Sequence, residues 1–316
     1  MATPTSHDSV PATVRIGTRG SDLALWQAHF IQGRLKELAI HTEITIIKTQ
    51  GDRIDNVPFS QLEGKGFFTR ELEEAQLDER VDLAVHSLKD LSTEMPGGLT
   101  LVAMVGREDP REALLANPDA VDQDRLAAGE TLPLRSGATV GTSAARRQAQ
   151  VLELRPDLKI ADLRGNVPTR VNRLREGKYD AILLARAGLV RLDLPTDDLF
   201  VQPLPETEFI PAPAQGMLGI QCRDAEPWTT VLSRLDTPEA ARAVAAERDL
   251  LERLEGGCQI PFGVNVNRAG AGWLLMAFLA PIEQGSRQPL RIRLEGDELE
   301  PLVEEAWQQL SRYRNG

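Results

Sequence analysis

Val14–Ala28 reads VRIGTRGSDLALWQA, and its punctuation decides the fold. Val14–Gly17 has the character of a short strand and breaks at Gly17-Thr18. Ser21 is placed to cap a helix, and Leu23, Trp26 and Phe30 recur at helical spacing, so a helix is expected over Asp22–Leu38. Working outward, Glu43–Lys48 (EITIIK) is β-branched and reads as a strand. Gln61–Phe68 reads as a Gly-rich loop, and Thr69 to about Glu79 as a charged helix. Asp82–His86 and Leu99–Val105 read as further strands. Strands alternating with helices predict a largely parallel sheet.

The same punctuation returns in a second lobe. Arg107–Arg111 (REDPR) reads as a hinge, Ala138–Gly141 as a strand ending in Gly-Thr, and Ser143 as the cap of a helix through Leu154. Leu158–Asp162 and Asp180–Leu184 are strands, with the loop LRGN and a helix from about Val167 between them. The repeated strand-Gly-Thr-cap-helix pattern is a faint sign of duplication. Residues 201–214 are Pro-rich and read as a return crossover, and Met217–Arg223 as a strand back in the first lobe.

From Thr237 the pattern changes. Pro238 suits the first turn of a helix to Leu254. Strands near Val264–Asn267, Trp273–Ala280 and Leu290–Leu294 and a helix over Asp297–Gln309 then make a small α+β domain. The expected fold is therefore two hinged, doubly wound α/β lobes, similar in architecture to periplasmic binding proteins, plus that C-terminal domain. The expected boundaries are 14–106 with 215–234 for a discontinuous first lobe, 107–210 for the second, and 236–316 for the third. In such folds ligands sit at the carboxyl ends of strands.

The 316 residues include only two cysteines, Cys222 and Cys258, which excludes a disulfide framework and a four-thiolate metal site. The four histidines stand in no zinc-ligand pattern. The longest apolar stretch, Gly272–Ile282, is too short for a bilayer, and the first residues show neither a basic nor an apolar leader segment. A cytoplasmic protein is expected, without metal, membrane or obligate protein partner. A net charge of −11 argues against general nucleic-acid binding. Yet Arg135–Arg191 holds 12 basic and 5 acidic residues. One basic lobe in an acidic chain focuses small anions.

Several cations fall where a strand ends and a helix begins. Arg19 follows Gly17-Thr18, Arg146 and Arg147 lie in a first helical turn, and Arg164 and Arg170 flank the next helix start. Adjacent cations oppose the positive end of the macrodipole by about 0.3–1 kcal/mol each. A bound anion would offset that cost, whereas side chains turned to solvent would leave it small. Lys89 and Asp90 follow the strand DLAVH; Asp90 is either a turn residue or a carboxylate that stabilises a developing cation, and Lys89 is a candidate Schiff-base lysine. Cys222, inside a strand, reads as a small buried hydrophobe. Cys258, after two glycines in LEGGCQIP, reads either as a presented thiol or as a structural cysteine. Gly64-Lys65-Gly66 lacks the full phosphate-loop pattern.

Taken together, RIGTRGSDLALWQA, EGKGFFTRELE, DLAVHSLKD, REDPREALL, VGTSAARRQ, LRGNVPTR, YDAILLARAGLVRL, PAPAQGMLGIQCR and LEGGCQIP resemble the porphobilinogen deaminase (hydroxymethylbilane synthase) family from Val14 onward. The resemblance implies an enzyme that joins four porphobilinogen units head to tail with loss of ammonia, in tetrapyrrole biosynthesis. It implies a dipyrromethane cofactor held by a thioether to Cys258, with Asp90 as the catalytic carboxylate. By the same matching, Ser21, Lys65, Lys89, Asp90, Arg146 and Arg147 would hold the cofactor. Arg19, Gln27, Phe68, Arg164, Arg170 and Arg191 would hold the small-molecule substrate.

Four positions depart from the family pattern: Gln61 for a loop lysine, Ala144 for a serine, Arg186 for a small residue and Ala214 for a glycine. Arg186 is expected to add a carboxylate contact. Two rival readings are a non-enzymatic anion-binding module and an inactive relative. Attachment of pyrroles to Cys258 separates both from the enzyme.

Overall fold

The computed structural model describes residues 12–49, 69–255, 260–282 and 287–315. The chain divides into two compact units, residues 1–108 with 216–242 and residues 109–215 with 243–316. The loop expected at Gln61–Phe68, with Lys65, and the segment carrying Cys258 lie outside the described residues.

The first unit begins with β1 (Val14–Thr18), α1 (Asp22–Glu37), β2 (Thr42–Ile46), α2 (Arg70–Leu77), β3 (Leu83–Ser87) and β4 (Leu99–Val105). The second unit opens with β5 (Glu112–Ala116) and α3 (Gln123–Ala127), then β6 (Thr139–Gly141), α4 (Ala145–Leu154), β7 (Lys159–Ala161) and α5 (Val167–Arg175). It continues through β8 (Ala181–Ala185), α6 (Arg186–Leu192) and β9 (Phe200–Pro203). The chain returns to the first unit with β10 (Leu218–Arg223) and α7 (Trp228–Leu232), and α8 (Pro238–Arg253) leads out again. The strands β11 (Phe262–Ala269), β12 (Gly272–Leu279) and β13 (Leu290–Gly296) and the helix α9 (Leu299–Asn315) complete the second unit.

The first sheet has the order β2-β1-β3-β10-β4 and the second β7-β6-β8-β5-β9. These are one topology used twice. β1 and β6 are each flanked by parallel neighbours, and β10 and β5 each run antiparallel between two strands. Four of the five strands in each sheet therefore run in one direction, as expected of a largely parallel sheet, and one runs against them. Each sheet takes its antiparallel strand from a chain segment next to a crossover, where a helical return is not required.

The repeated glycine has a steric cause. A Cβ at Gly17 would lie 2.9 Å from Val81 Cγ2, and one at Gly141 would lie 2.8 Å from the Tyr179 ring. In both units the first strand passes the residues leading into the third too closely for a side chain. The residue after the glycine then leads into a helix. Ser21 caps α1 by accepting from Ala24 N, Asp22 sits at its positive end, and Arg34 and Lys36 sit at its negative end. Ala28, Ile31 and Leu35 bury one stripe of α1 against Ile16, Leu83, Leu218 and Ile220. The cap expected at Ser143 is not formed. Its hydroxyl instead exchanges hydrogen bonds with Leu163 N and O, so Ala144 starts α4 without a side-chain cap.

Most strands and helices fall within a residue or two of expectation, and α9 is about one turn longer than expected. Five elements were not anticipated: β5, α3, α6, β9 and α7. β5 directly follows the Arg107–Arg111 segment read as a hinge, and it went unread because a strand is not expected to begin with a buried carboxylate. All five of its residues are buried. The C-terminal strands form an antiparallel sheet, β11-β12-β13, with a core of Leu250, Val264, Leu275, Ala306 and Leu310. This sheet packs within the second unit: Met276 and Phe278 meet Ile210, and Arg291 pairs with Glu153 on α4 at 2.6 Å. Among the described residues no helix is long and apolar enough to cross a membrane.

Candidate functional site

In the first unit the chemistry-bearing residues gather at the carboxyl ends of β1 and β3, which are parallel neighbours. Arg19 and Ser21 follow β1. A short helical turn, Leu88–Asp90, follows β3, with Leu88 buried beneath it and Asp90 exposed. Leu88 anchors the turn by apolar burial, and its backbone N–H donates to Met217 O. The anchor fixes where the Asp90 carboxylate emerges. Gln27, buried on α1, donates through Nε2 to Ser87 Oγ at 2.7 Å and ties the helix to the end of β3. The hydroxyl of Ser21 serves the α1 cap.

Behind this edge lies a neutral polar contact that sequence reasoning missed. His86 on β3 donates from Nε2 to Gln221 Oε1 on β10 at 3.0 Å, and Gln76 on α2 donates to Gln221 O at 2.6 Å. Burial pushes the His86 imidazole down to about 4; the hydrogen bond to Gln221 opposes that shift and the Arg19 charge adds to it. His86 is therefore uncharged at neutral pH, and its N–H is a fixed donor between two strands. Cys222, one residue beyond Gln221, is wholly buried, and burial pushes its thiol up to about 12, so it is an inert core residue.

The second unit holds the arginines. Arg146 and Arg147 lie in the first turn of α4, each only 6% exposed. Neither turns to solvent. Arg146 Nη2 donates to Glu112 Oε1 at 2.5 Å and Nη1 to Ile210 O at 2.8 Å. Arg147 Nη2 donates to Glu112 Oε2 at 2.8 Å and Nη1 to Leu183 O at 3.1 Å. Glu112, at the head of β5, is fully buried between them. Burial lowers the Arg146 guanidinium from its ordinary value, and the charge of Glu112 opposes that shift. Among the described residues Arg147 Nε is buried and lacks a hydrogen-bond acceptor. Glu112 was missed by the sequence reading. Its signal was an acidic residue heading the apolar run EALLA.

Arg164 and Arg170 flank the start of α5, both half-buried. Arg170 Nε donates to Gly165 O at 2.7 Å, and Arg173 Nη1 donates to Arg164 O at 2.8 Å, so the loop is braced by its own cations. Asn166 caps α5 by accepting from Thr169 N. Arg191 is buried on α6. Arg186, also on α6, pairs with Asp109 at 3.0 Å, and Asp109 also takes Arg111 at 2.7 Å. The structure thus brings Arg19, Ser21, Gln27, Lys89 and Asp90 to one sheet edge. It sets Arg146, Arg147, Arg164, Arg170 and Arg191 around the carboxyl ends of strands in the other sheet. Lys65, Phe68 and Cys258 lie outside the described residues.

Chemically, the first edge offers a carboxylate beside cations, suited to stabilising positive charge. The second offers guanidinium groups, suited to carboxylates. A family model described as porphobilinogen deaminase, dipyromethane cofactor binding domain, matches residues 14–230, and one described as porphobilinogen deaminase, C-terminal domain, matches 241–298. The chain is 46% identical over 290 residues to the porphobilinogen deaminase of Trichlorobacter lovleyi, covering 90% of this chain and 88% of that one. It is 44% identical over 274 residues to that of Geobacter sulfurreducens, covering 85% and 82%. Among solved structures, an ancestral cationic amino acid solute binding protein is similar at 14% identity and a TM-score of 0.45, over 75% of this chain and 94% of that one. The Bordetella pertussis BvgS periplasmic VFT2 domain is similar at 12% identity and a TM-score of 0.43, over 75% and 92%.

Proposed function

Because the chain belongs to the porphobilinogen deaminase family, a family of transferases that use a dipyrromethane cofactor in tetrapyrrole biosynthesis, we propose that it condenses four porphobilinogen units to hydroxymethylbilane with Asp90 as its catalytic carboxylate and Cys258 as its attachment point. The observation that carries the assignment of Asp90 is its position: an exposed carboxylate on a turn whose first residue, Leu88, is locked in the core. The reading includes a cytoplasmic, monomeric enzyme.

The residues present fit an oligopyrrole that bears carboxylates. Arg146 and Arg147 carry one more positive charge than Glu112 cancels, and Arg147 Nε is a buried donor without an acceptor among the described residues. In this reading Arg146, Arg147, Lys89, Ser21 and Lys65 hold the cofactor, and Arg19, Arg164, Arg170, Arg191, Gln27 and Phe68 hold substrate. When bound, the dipyrromethane would supply the terminal pyrrole carbon to which the first unit is joined, each later unit joining the one before it. Asp90 accepts hydrogen bonds from the pyrrole N–H of porphobilinogen and stabilises the cation left when its aminomethyl nitrogen departs as ammonia. At about 4 Å and an effective dielectric near 20, one carboxylate stabilises such a cation by about 4 kcal/mol. That corresponds to roughly a thousandfold in rate.

One experiment tests both roles. Asp90→Asn should purify with two linked pyrroles on Cys258, seen by intact mass and peptide mapping, and should turn over about a thousandfold more slowly. A near-wild-type rate removes Asp90 from its role. A wild-type chain that stays unmodified after incubation with porphobilinogen, with its fold intact, favours the binding-module reading.

A further inference from the structure

The buried contact among Glu112, Arg146 and Arg147 is not required by the architecture. The first sheet shows why. In each unit the antiparallel strand begins opposite the last residue of the third strand: Leu218 faces Ser87, and Glu112 faces Ala185. The second and third residues of the helix that follows the glycine-ended strand are Leu23 and Ala24 on α1, and Arg146 and Arg147 on α4. One topology is therefore built once with a buried leucine and once with a buried carboxylate between two guanidinium groups. A buried ion cluster is commonly no more stable than well-packed apolar residues in its place. The charged version answers a different requirement.

Its geometry indicates which one. Each guanidinium is held at two points, by one oxygen of Glu112 and by one backbone carbonyl. Both planes are thereby fixed before any ligand arrives. Two cations against one carboxylate leave a net charge of one, nearly out of water. Arg147 Nε points its N–H at no acceptor among the described residues. A buried donor without an acceptor is costly, and an anionic ligand removes that cost.

We propose that Glu112 is a positioning residue for ligand carboxylates: it sets the guanidinium planes of Arg146 and Arg147 and cancels one of their two charges, so that together they take one pyrrole carboxylate. This rests on the reading that these arginines hold the pyrrole side chains. Without Glu112 the two guanidinium groups repel each other, and the fork that meets the ligand is no longer fixed. With it, binding does not have to pay for ordering two long side chains.

The test compares the wild type with Glu112→Gln, Arg146→Met and the double variant Glu112→Gln/Arg146→Met. For each, intact mass gives the fraction of purified chain carrying two pyrroles, thermal melting gives the fold, and steady-state kinetics give KM and kcat separately. Glu112→Gln is expected to lower the loaded fraction about tenfold and to raise KM for porphobilinogen more than it lowers kcat. Glu112→Asp is expected to restore both, since it keeps the charge. If Glu112→Gln does not fold, the double variant decides, because it also removes the guanidinium left without a counter-charge. It should load about tenfold less than Arg146→Met alone. Loading and KM equal to the matched parent in either folded pair would overturn the proposal. Arg147→Gln separates the underlying reading: a folded variant that loads and turns over as wild type shows that this arginine does not meet the pyrroles, whatever Glu112 does.

Discussion

The two five-stranded sheets repeat one strand order, yet what each buries at its carboxyl edge differs in kind. The first buries Leu218 there and keeps a neutral contact, His86 to Gln221, deeper in the sheet. The second buries Glu112 between Arg146 and Arg147. A shared scaffold shows which features the scaffold does not need. The glycine at the end of the first strand occurs in both units and has the same steric cause in both, so it belongs to the fold. The arginines and Glu112 occur in one unit only, so they belong to what that unit binds. In the other unit the exposed charge is Asp90, on a turn anchored by an apolar residue.

The comparison is broken or sharpened most strongly by rebuilding the second edge in the image of the first. Glu112→Leu, Arg146→Leu and Arg147→Ala, made together, should fold. Stability should be unchanged or raised by about 1–4 kcal/mol, because apolar packing replaces a desolvated ion cluster. The same chain should carry no pyrroles by intact mass. Loss of the cooperative melt would mean that the triad is structural and that the likeness between the two sheets is only topological.

Acid should affect the neutral contact of the first unit. The His86 imidazole has its ordinary value of 6.5 in the unfolded chain and about 4 in the folded one. The unfolded state therefore binds more protons between those two values, and stability falls as pH drops through that window. The full loss from this one group is about 3 kcal/mol. Asp82 and Asp109 are held low by Arg15 and Arg111 against the opposing effect of burial, so their contributions are lost only below the ordinary carboxylate value of 3.8. Urea unfolding at neutral pH and near the bottom of the histidine window should show the drop, and His86→Gln should remove most of it. An equal drop in that variant would assign the slope to other groups.

These features were unequally legible in the sequence. Strand-Gly-Thr-helix punctuation was readable at Gly17 and Gly141 because glycine and the residues after it act locally. The capping of α1 by Ser21 was readable for the same reason. The Ser143 cap was not, because Leu163, twenty residues away, takes that hydroxyl. β5 escaped notice because Glu112 looks like a surface residue until its two partners, more than thirty residues along the chain, are brought to it. His86 and Gln221 lie 135 residues apart, and nothing local marks them as a pair. Candidate site residues were legible as types at strand ends. Their partners were not, because partnership is a property of the packed sheet.

The smallest effect is expected at Arg186, where the sequence pointed to an extra carboxylate contact. Its guanidinium is engaged at the rim of the second sheet. Nε lies 3.0 Å from Asp109 Oδ2, and its backbone N–H donates to Arg111 O. Asp109 in turn holds Arg111 through Nε and Nη2. A partly exposed pair of this kind contributes about 0–1 kcal/mol, and replacing Arg186 leaves Asp109 still neutralised by Arg111. Arg186→Ala should therefore melt within a few degrees of wild type. Its KM for porphobilinogen should change by no more than about twofold, against about tenfold or more for a folded Arg147→Gln. A rise at Arg186 as large as that at Arg147 would mean that the rim arginine leaves Asp109 for substrate. Anion binding would then extend outward from the buried triad along α6.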